Sequence, residues 1–441
     1  MKGTMAPRRR IDVKNSLRSS FKDGIFAALM GGVTDHYATP MALSLGATVL
    51  QVGLVIALPN LFSSLSQFFS VRIIYWVGGR LKLLVRLVLS QASVLLAIGF
   101  LAAVSDAHER VGWFIVLVTV AALCGGLAGP AWGSLMSDYI PASKRGRYFG
   151  WRSSVLGAVS IGSVCAAGVL LYMFRQLEFG GGFVVLFCLA ALFRYISGYF
   201  INQMHEPPHK KDPASDFTFV MFIARFRESN FLKFVIFAAA LNFSCFLAAP
   251  FFAVFMLRDL QLNYLTYMAL QVSSSLMALL ALPLWGRHAD LVGNVSVLRL
   301  SSLFAVVIPF FWLASQNPLY LAFVQLWAGF SWSGVTLSTG NFIYDAVTPQ
   351  KRVRCISYFN VINGVAVFLG SATGGWLANK LPPLAGFQLL ALFLLSGVCR
   401  MLACIFLSAR FREVRRAREV SLRELFYSVV GIRPLIGPAQ D

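Results

Sequence analysis

Charge is scarce in this chain. Only 13% of its residues are Asp, Glu, Lys or Arg, against roughly a quarter in an ordinary soluble domain. Acids number just 18 of 441 residues, and there are five histidines. So little charge beside 58% hydrophobic residues excludes a disordered chain and an ordinary water-soluble enzyme. The seven cysteines form no CxxC pair and mostly sit in apolar runs. That argues against a disulfide framework or zinc site and leaves small buried hydrophobes. No glycine-rich loop is followed by Lys-Ser/Thr, so the chain encodes no phosphate loop of its own for an ATP-driven pump. Nor does a short apolar stretch with a small-residue cleavage site follow the basic start MAPRRR. Residues 1–20 are therefore expected to be a retained cytoplasmic tail, with the first apolar span acting as an uncleaved insertion signal.

What the chain has in quantity is long apolar runs, and its mean hydropathy is +0.71. Crossing the hydrocarbon core takes about 20 mostly apolar residues in a helix. Runs of that kind fall at 22–46, 48–71, 83–104, 112–137, 149–174, 182–202, 231–257, 264–285, 295–315, 318–345, 354–379 and 386–408. The fold class expected is an all-α membrane protein of twelve transmembrane helices. Most joins are short, but 203–230 is long and divides the spans six and six. Five domains follow: an N-terminal tail (1–20), a six-helix bundle (21–202), a linker (203–230), a second bundle (231–408) and a C-terminal tail (409–441). Within the linker, FTFVMFIARFRES is apolar on one side and basic on the other, as an interfacial helix would be.

The formal net charge of +20 could suggest a nucleic-acid partner, but its distribution excludes one. With the N-terminus inside, 28 of the 38 basic residues fall in cytoplasmic segments and four on the other side. This is the positive-inside pattern, and it predicts that both termini are cytoplasmic. The partners expected are a lipid bilayer, a small-molecule substrate and protons, with the chain acting as a monomer and without a cofactor. A bacterial inner (plasma) membrane is the expected location.

The two halves repeat. Asp138, Lys144, Arg145 and Arg147 recur 207 residues later as Asp345, Lys351, Arg352 and Arg354. Arg194 matches Arg400 at an offset of 206, and Ala38 and Pro40 match Ala248 and Pro250 at 210. Paired bundles of this kind suit an alternating-access carrier. Gly286-RHA-Asp290-LV-Gly293 matches the Gly-xxx-Asp-xx-Gly loop signature of the major facilitator superfamily, and Pro141-ASKRGRYFG resembles the loop after span 4 of many bacterial members. On these residues the chain resembles that superfamily along its whole membrane part. The equivalent join between spans 2 and 3 departs from the signature, keeping Gly79, Arg80 and Lys82 but carrying Trp76 at the acid's position. No drug-antiporter proline–glycine motif is found in span 5, and no sugar-porter signature elsewhere.

Asp35 and His36 stand out in span 1. Asp35 lies 11 residues beyond Gly24, about 16 Å along a helix and near mid-membrane. A carboxylate there is costly and by default marks a substrate or ion route. Out of water, it can exchange a proton near neutral pH. The alternative is a hydrogen-bonded helix-ordering acid. His36 faces about 100° away, so the two do not form one clasp. Span 10 is polar and aromatic, with Gln325, Trp332, Thr336, Thr339 and Asn341 able to bond or stack on a ligand, or else to join helices. The resemblance implies that spans 1, 4, 7 and 10 line the transport cavity, which adds Trp132 and Asn242. It also implies that Arg86, Arg194, Arg299 and Arg400 are peripheral, snorkelling or paired within a bundle. Asp23, beside Lys22, reads as an interfacial ion pair. Gly125, Gly129 and Gly133 form a stripe expected to pack closely on a neighbouring helix, as do Gly370 and Gly374. The clusters of Asp138, Arg145 and Arg147 and of Asp345, Arg352 and Arg354, with Gly286, Asp290 and Gly293, are candidates for a gate.

Together these readings predict a secondary active transporter of a small molecule working by alternating access, not an enzyme, with proton coupling through Asp35. Alternatives are a drug or metabolite efflux antiporter and an uncoupled facilitator. A membrane-embedded enzyme or sensor on the same fold has the least support, because no paired His/Asp/Glu cluster other than Asp35-His36 lies in a span.

Overall fold

The computed structural model describes residues 7–104, 107–140, 142–176, 181–207, 229–347, 349–415, 417–418 and 420–432. Every one of the twelve apolar runs is helical. In chain order the helices are α1 (Pro7–Ser44), α2 (Val49–Ser66), α3 (Ser70–Val77), α4 (Arg80–Val104), α5 (Ala107–Tyr139), α6 (Ala142–Gln176) and α7 (Gly182–Asn202). They continue as α8 (Asn230–Phe246), α9 (Ala249–Val254), α10 (Tyr264–Val292), α11 (Asn294–Ala314), α12 (Pro318–Ala346), α13 (Pro349–Leu377), α14 (Gln388–Leu407) and α15 (Leu422–Val429). Among the described residues, ten helical segments are long and apolar enough to cross a membrane by length and composition. The helices α1 and α12 fall outside those ten. They are the two that carry most of the polar candidates, and each of those residues lowers the mean hydropathy.

Several boundaries differ from expectation. Helix α1 begins at Pro7, so much of the expected tail is helix continuous with span 1; Ser16 of this stretch accepts a bond from the His205 amide at 2.9 Å. Span 7 is not one helix. It breaks after Phe246, restarts as α9 with Pro250 in its first turn, and ends in a π-helical turn at Phe255–Asp259. Pro250 has no N–H to continue the ladder from α8, which favours a break there. The short helix α3 occupies the join between α2 and α4, with Trp76 87% exposed. In the C-terminal tail, α15 opens with a Ser421–Glu424 capping box and buries Leu425 and Val429. The interfacial helix expected in the linker lies outside the described residues.

By contacts the chain forms two compact units, one of residues 1–213 with 256–268, the other of 214–255 with 269–441. The segment 256–268, which the sequence division put in the second bundle, thus groups with the first. In the first unit α4 packs on α5 and α7, and α1 packs on α6 and α7. In the second, α11 packs on α12 and α14, and α8 packs on α13 and α14. The same span pairings therefore recur in each unit.

Glycine governs how closely some of these helices approach. A Cβ at Gly370 would lie 2.5 Å from the Phe243 carbonyl oxygen, and one at Gly374 2.2 Å from that of Leu247. The α5 stripe behaves differently: a Cβ at Gly129 or Gly133 would meet nothing within 4 Å. Residues four apart rotate about 40° per step around a helix, so the stripe winds away from its neighbour. The close approach in α5 is made by Gly126, where a Cβ would lie 2.4 Å from the Ser63 carbonyl oxygen of α2.

Candidate functional site

A cavity of about 290 Å³ lies inside the first unit, walled by α1, α2, α4, α5 and α7. Gly126 brings α5 onto α2 beside Ser63, which lines the cavity with its neighbour Asn60. From α1 comes Asp35, exposed to the cavity, with Thr34 donating to its Oδ1 at 3.3 Å. Asn60 commits its amide nitrogen to the Ile56 carbonyl at 2.9 Å, leaving Oδ1 as an acceptor. Gln91 of α4 supplies a further polar group, and Leu95, Val118 and Phe187 are among the apolar walls. Among the described residues, Asp35 is the one ionisable residue lining this space.

Gln91 also connects the cavity to a buried charge network. Its Oε1 accepts from Arg194 Nε at 2.7 Å, and its Nε2 donates to the Ala121 carbonyl at 2.9 Å. Arg194 donates onward to Ser197 Oγ at 3.2 Å, and Ser197 donates to Asp23 Oδ1 at 2.6 Å. Arg152 lies over the Trp132 ring at 4.7 Å and donates to the Ser20 carbonyl. Asp23 is 4% exposed. It is therefore not an interfacial partner of Lys22: it faces inward, and Lys22 lies over the Phe200 ring instead.

At the end of the unit where α4 begins, Arg80 is 1% exposed and ties three elements together. It donates to Asp138 Oδ2 at 2.7 Å, Ser134 Oγ at 2.9 Å, Glu206 Oε1 at 3.4 Å and the Pro207 carbonyl at 3.2 Å. Glu206 in turn accepts from the backbone N–H groups of Arg80 and Leu81, satisfying orphan donors at the start of α4. The second unit repeats the arrangement with a neutral residue at its centre. There Asn294 donates to Asp345 Oδ2 at 2.7 Å, and Glu413 accepts from the Val295 N–H at 2.9 Å. Glu206 and Glu413 are 207 residues apart, the same offset as Asp138 and Asp345, so the repeat itself pointed to a pair not singled out from sequence. Among the described residues, no three His, Cys, Asp or Glu converge as metal ligands would.

The sequence profile of the Major Facilitator Superfamily matches residues 24–256 and 234–437. The chain belongs to that superfamily. It is 24% identical over 325 residues to the multi-drug resistance efflux pump PmrA of Streptococcus pneumoniae, covering 70% of this chain and 75% of that one. A crystal structure of a point mutant of nucleoside transporter NupG superposes with a TM-score of 0.69 at 12% identity, covering 89% of this chain and all of the other. The D-xylose-proton symporter structure gives 0.67 at 13% identity, over 94% of this chain and all of the other. These two likenesses concern the fold. As a member of the superfamily the protein is an integral membrane transporter of a small molecule.

The other candidates of this superfamily chain are dispersed. His36 does not line the cavity; its carbonyl accepts from Tyr267 Oη at 2.9 Å, and Tyr37 beside it bonds to the Val164 carbonyl. Trp132 is occupied by Arg152. Asn242 donates to Asn363 Oδ1 at 2.6 Å, joining α8 to α13. On α12, Gln325 is buried and donates to Gln271 Oε1 at 3.3 Å. Trp332 packs against the apolar core of the second unit, whereas Thr336 is exposed and Thr339 and Asn341 are half-buried. Asp290 is exposed, and Gly286 lies within α10. Gly293 caps α11 at φ +87°. The side chains of Arg145, Arg147 and Arg352 fall outside the described set, while Arg354 is half-buried. Of the span arginines, Arg86 is exposed, Arg299 donates to the Ser408 and Phe411 carbonyls, and Arg400 is 2% exposed, bonded to the Ala305 carbonyl.

Proposed function

We propose that the protein is a secondary active transporter that moves its small molecule by alternating access and draws on a proton gradient, with Asp35 as the proton-carrying group. The observation that carries this reading is Asp35 itself, the one ionisable residue among the described residues that line a cavity between five membrane helices. An isolated carboxylate in such a place favours a function in substrate or ion movement over a structural role. Asp23, the other acid in the membrane-spanning part of α1, is held by Ser197 in a network with Arg194, and is less suited to exchange a proton with the cavity.

The asymmetry of Lys and Arg supports cytoplasmic termini; the reading further takes the bundles at 21–202 and 231–408 to act as a monomer in a bacterial inner membrane. The Arg80–Asp138–Glu206 and Asn294–Asp345–Glu413 clusters then lie on the cytoplasmic side, where their rearrangement would accompany gating. Export of a drug or metabolite is the favoured direction, because the PmrA likeness extends over most of the chain and that protein is named an efflux pump.

The test is untargeted. Reconstituted vesicles are given a metabolite and drug pool under an imposed pH gradient, and accumulated compounds are identified by mass spectrometry. At least one compound should accumulate and be lost on adding a protonophore. Asp35→Asn should abolish accumulation while sparing exchange of that compound between pools. Accumulation that persists in Asp35→Asn would exclude Asp35 as the carrier.

A further inference from the structure

We propose that α15 is a lipid-binding anchor: its exposed apolar flank seats at the headgroup–acyl boundary of the bilayer, and the arginines around it hold anionic phospholipid headgroups.

Helix α15 is fixed to the second unit. Leu425 and Val429 join an apolar cluster with Trp285, Ala289, Val297 and Phe304 of α10 and α11. The chain leading to it is pinned as well. Asn230 Nδ2 donates to the Arg412 carbonyl at 2.8 Å, Glu413 accepts from the Val295 N–H, and the Arg418 N–H donates to the Leu291 carbonyl at 3.2 Å. His288 Nδ1 donates to the Leu284 carbonyl at 2.9 Å, so in the neutral ring Nε2 accepts from Ser428 Oγ at 3.0 Å.

These contacts set a depth. Helix α10 has 29 residues, about 44 Å of helix, whereas the hydrocarbon core is about 30 Å thick and the bilayer about 40–45 Å. A helix of that length, centred in the bilayer, ends among the headgroups. Ser428 meets His288, four residues before α10 ends at Val292. The Phe426 ring lies 6.0 Å from that of Phe304, ten residues after α11 begins at Asn294. At 1.5 Å per residue, α15 therefore sits about 6–15 Å in from the helix ends. Interfacial helices bury their apolar side at the headgroup–acyl boundary, which is this level.

The faces of α15 suit that place. At about 100° per residue, Leu422, Phe426 and Val430 share a flank about 80° round from Leu425 and Val429, and all three are exposed. Arg423 and Tyr427 project from the side opposite the docked face, as residues with an apolar stem and a polar tip do at headgroup level. With eight residues, α15 is too short to cross the core. Charge selects the headgroup. Residues 410–432 hold six arginines and three glutamates. Arg410, Arg412, Arg415 and Arg423 are exposed, whereas Glu413 and Glu424 turn their carboxylates to the Val295 and Ser421 N–H groups. A second copy packed here about a two-fold axis would set the same arginines against one another. Anionic lipid neutralises them instead.

The test places the full chain in vesicles of phosphatidylglycerol and phosphatidylcholine in equal amounts, with Phe426 replaced by the photo-cross-linker p-benzoylphenylalanine. Irradiation should give chain–phospholipid adducts, read as mass shifts of the intact protein. Phosphatidylglycerol should exceed phosphatidylcholine among them by at least about threefold. Combining Arg412→Gln, Arg415→Gln and Arg423→Gln should bring that ratio to one while adducts still form. These three side chains are exposed, so the variant should keep its fold. Phosphatidylglycerol added to the detergent-purified chain should raise the melting temperature of the parent and raise that of the variant less. The proposal is overturned by absence of lipid adducts, by adducts only to a second copy or another protein, or by equal adducts of the two lipids in the parent. Enrichment that survives the triple variant, or an equal thermal shift in parent and variant, overturns it too.

Discussion

Replacing Gly293 by alanine tests whether the loop signature between α10 and α11 is a backbone device. Gly293 holds φ +87° and ψ 160°, a region open essentially to glycine alone, where another residue costs about 1–3 kcal/mol. Its Cβ would also lie 2.3 Å from Glu413 Oε2 and 2.8 Å from Cδ. Glu413 would have to withdraw, giving up the Val295 N–H that it caps. Losing a helix cap costs about 0.5–2 kcal/mol, so the combined loss is about 2–5 kcal/mol. For a unit of this size, that corresponds to a fall of roughly 5–15 °C in melting temperature, which differential scanning fluorimetry in detergent can read. Gly286, the other glycine of the signature, lies within α10, and a Cβ there would approach only Leu337, at 4.0 Å. Gly286→Ala should therefore stay within about 1 kcal/mol of the parent, on the stabilising side. Adding Glu413→Ala to Gly293→Ala removes the clash but not the backbone strain, so the double variant should lose less than the sum of the two. Equal losses at both glycines, or strict additivity with Glu413→Ala, would refute the reasoning.

Two further predictions use the same melting assay. Arg80→Ala should cost about 2–3 kcal/mol, less than a fully buried ion pair, because the side chains of Asp138 and Glu206 are 37% and 27% exposed and water reaches the stranded acids. Asn294→Ala, which removes a neutral donor to Asp345, should cost about 1 kcal/mol; equal losses would contradict the ranking. Gly126→Ala should destabilise by about 1–3 kcal/mol, because its Cβ meets the Ser63 backbone, whereas Gly129→Ala should not destabilise; the reverse order would contradict the packing described for α5.

The twelve apolar runs were legible because burial in lipid leaves a one-dimensional signal, a long stretch with almost no charge. The repeat was legible because chemically distinctive residues recur at nearly fixed offsets. What hydropathy could not show is how side chains turn within those helices. Asp23 looked interfacial from its place next to Lys22, yet Ser197, 174 residues away, receives it inside the bundle. Trp332, Thr336 and Thr339 follow helical spacing, but their environments range from core to exposed surface. Gln91, Asn60 and Ser63 gave no signal at all, since an isolated amide or hydroxyl in a span is commonplace. Only the convergence of α2 and α4 with α1 makes them neighbours of Asp35.

The two units solve the same problem with different chemistry, and the difference bears on where coupling can reside. Arg194 and Arg400 occupy equivalent places 206 residues apart, and both are buried. Arg194 reaches an acid through Ser197, whereas Arg400 is met by the carbonyls of Ala305 and Cys245. At the matching offsets, the position of Asp23 holds Lys233 and that of Ser197 holds Ala403. Arg80 likewise gives way to Asn294 in the second unit. A carbonyl cannot take up or release a proton near neutral pH, and neither can an asparagine amide. Asp23 and Asp35 are the acids set well inside the described membrane helices, away from their ends, and both belong to α1. If Asp35 carries the proton as proposed, these two acids, one held in a network and one facing open space, concentrate proton-dependent chemistry in the first unit. On that reading the second unit contributes shape and packing to the cycle, its charged groups Asp345, Glu413 and Arg299 being bonded to amides and carbonyls.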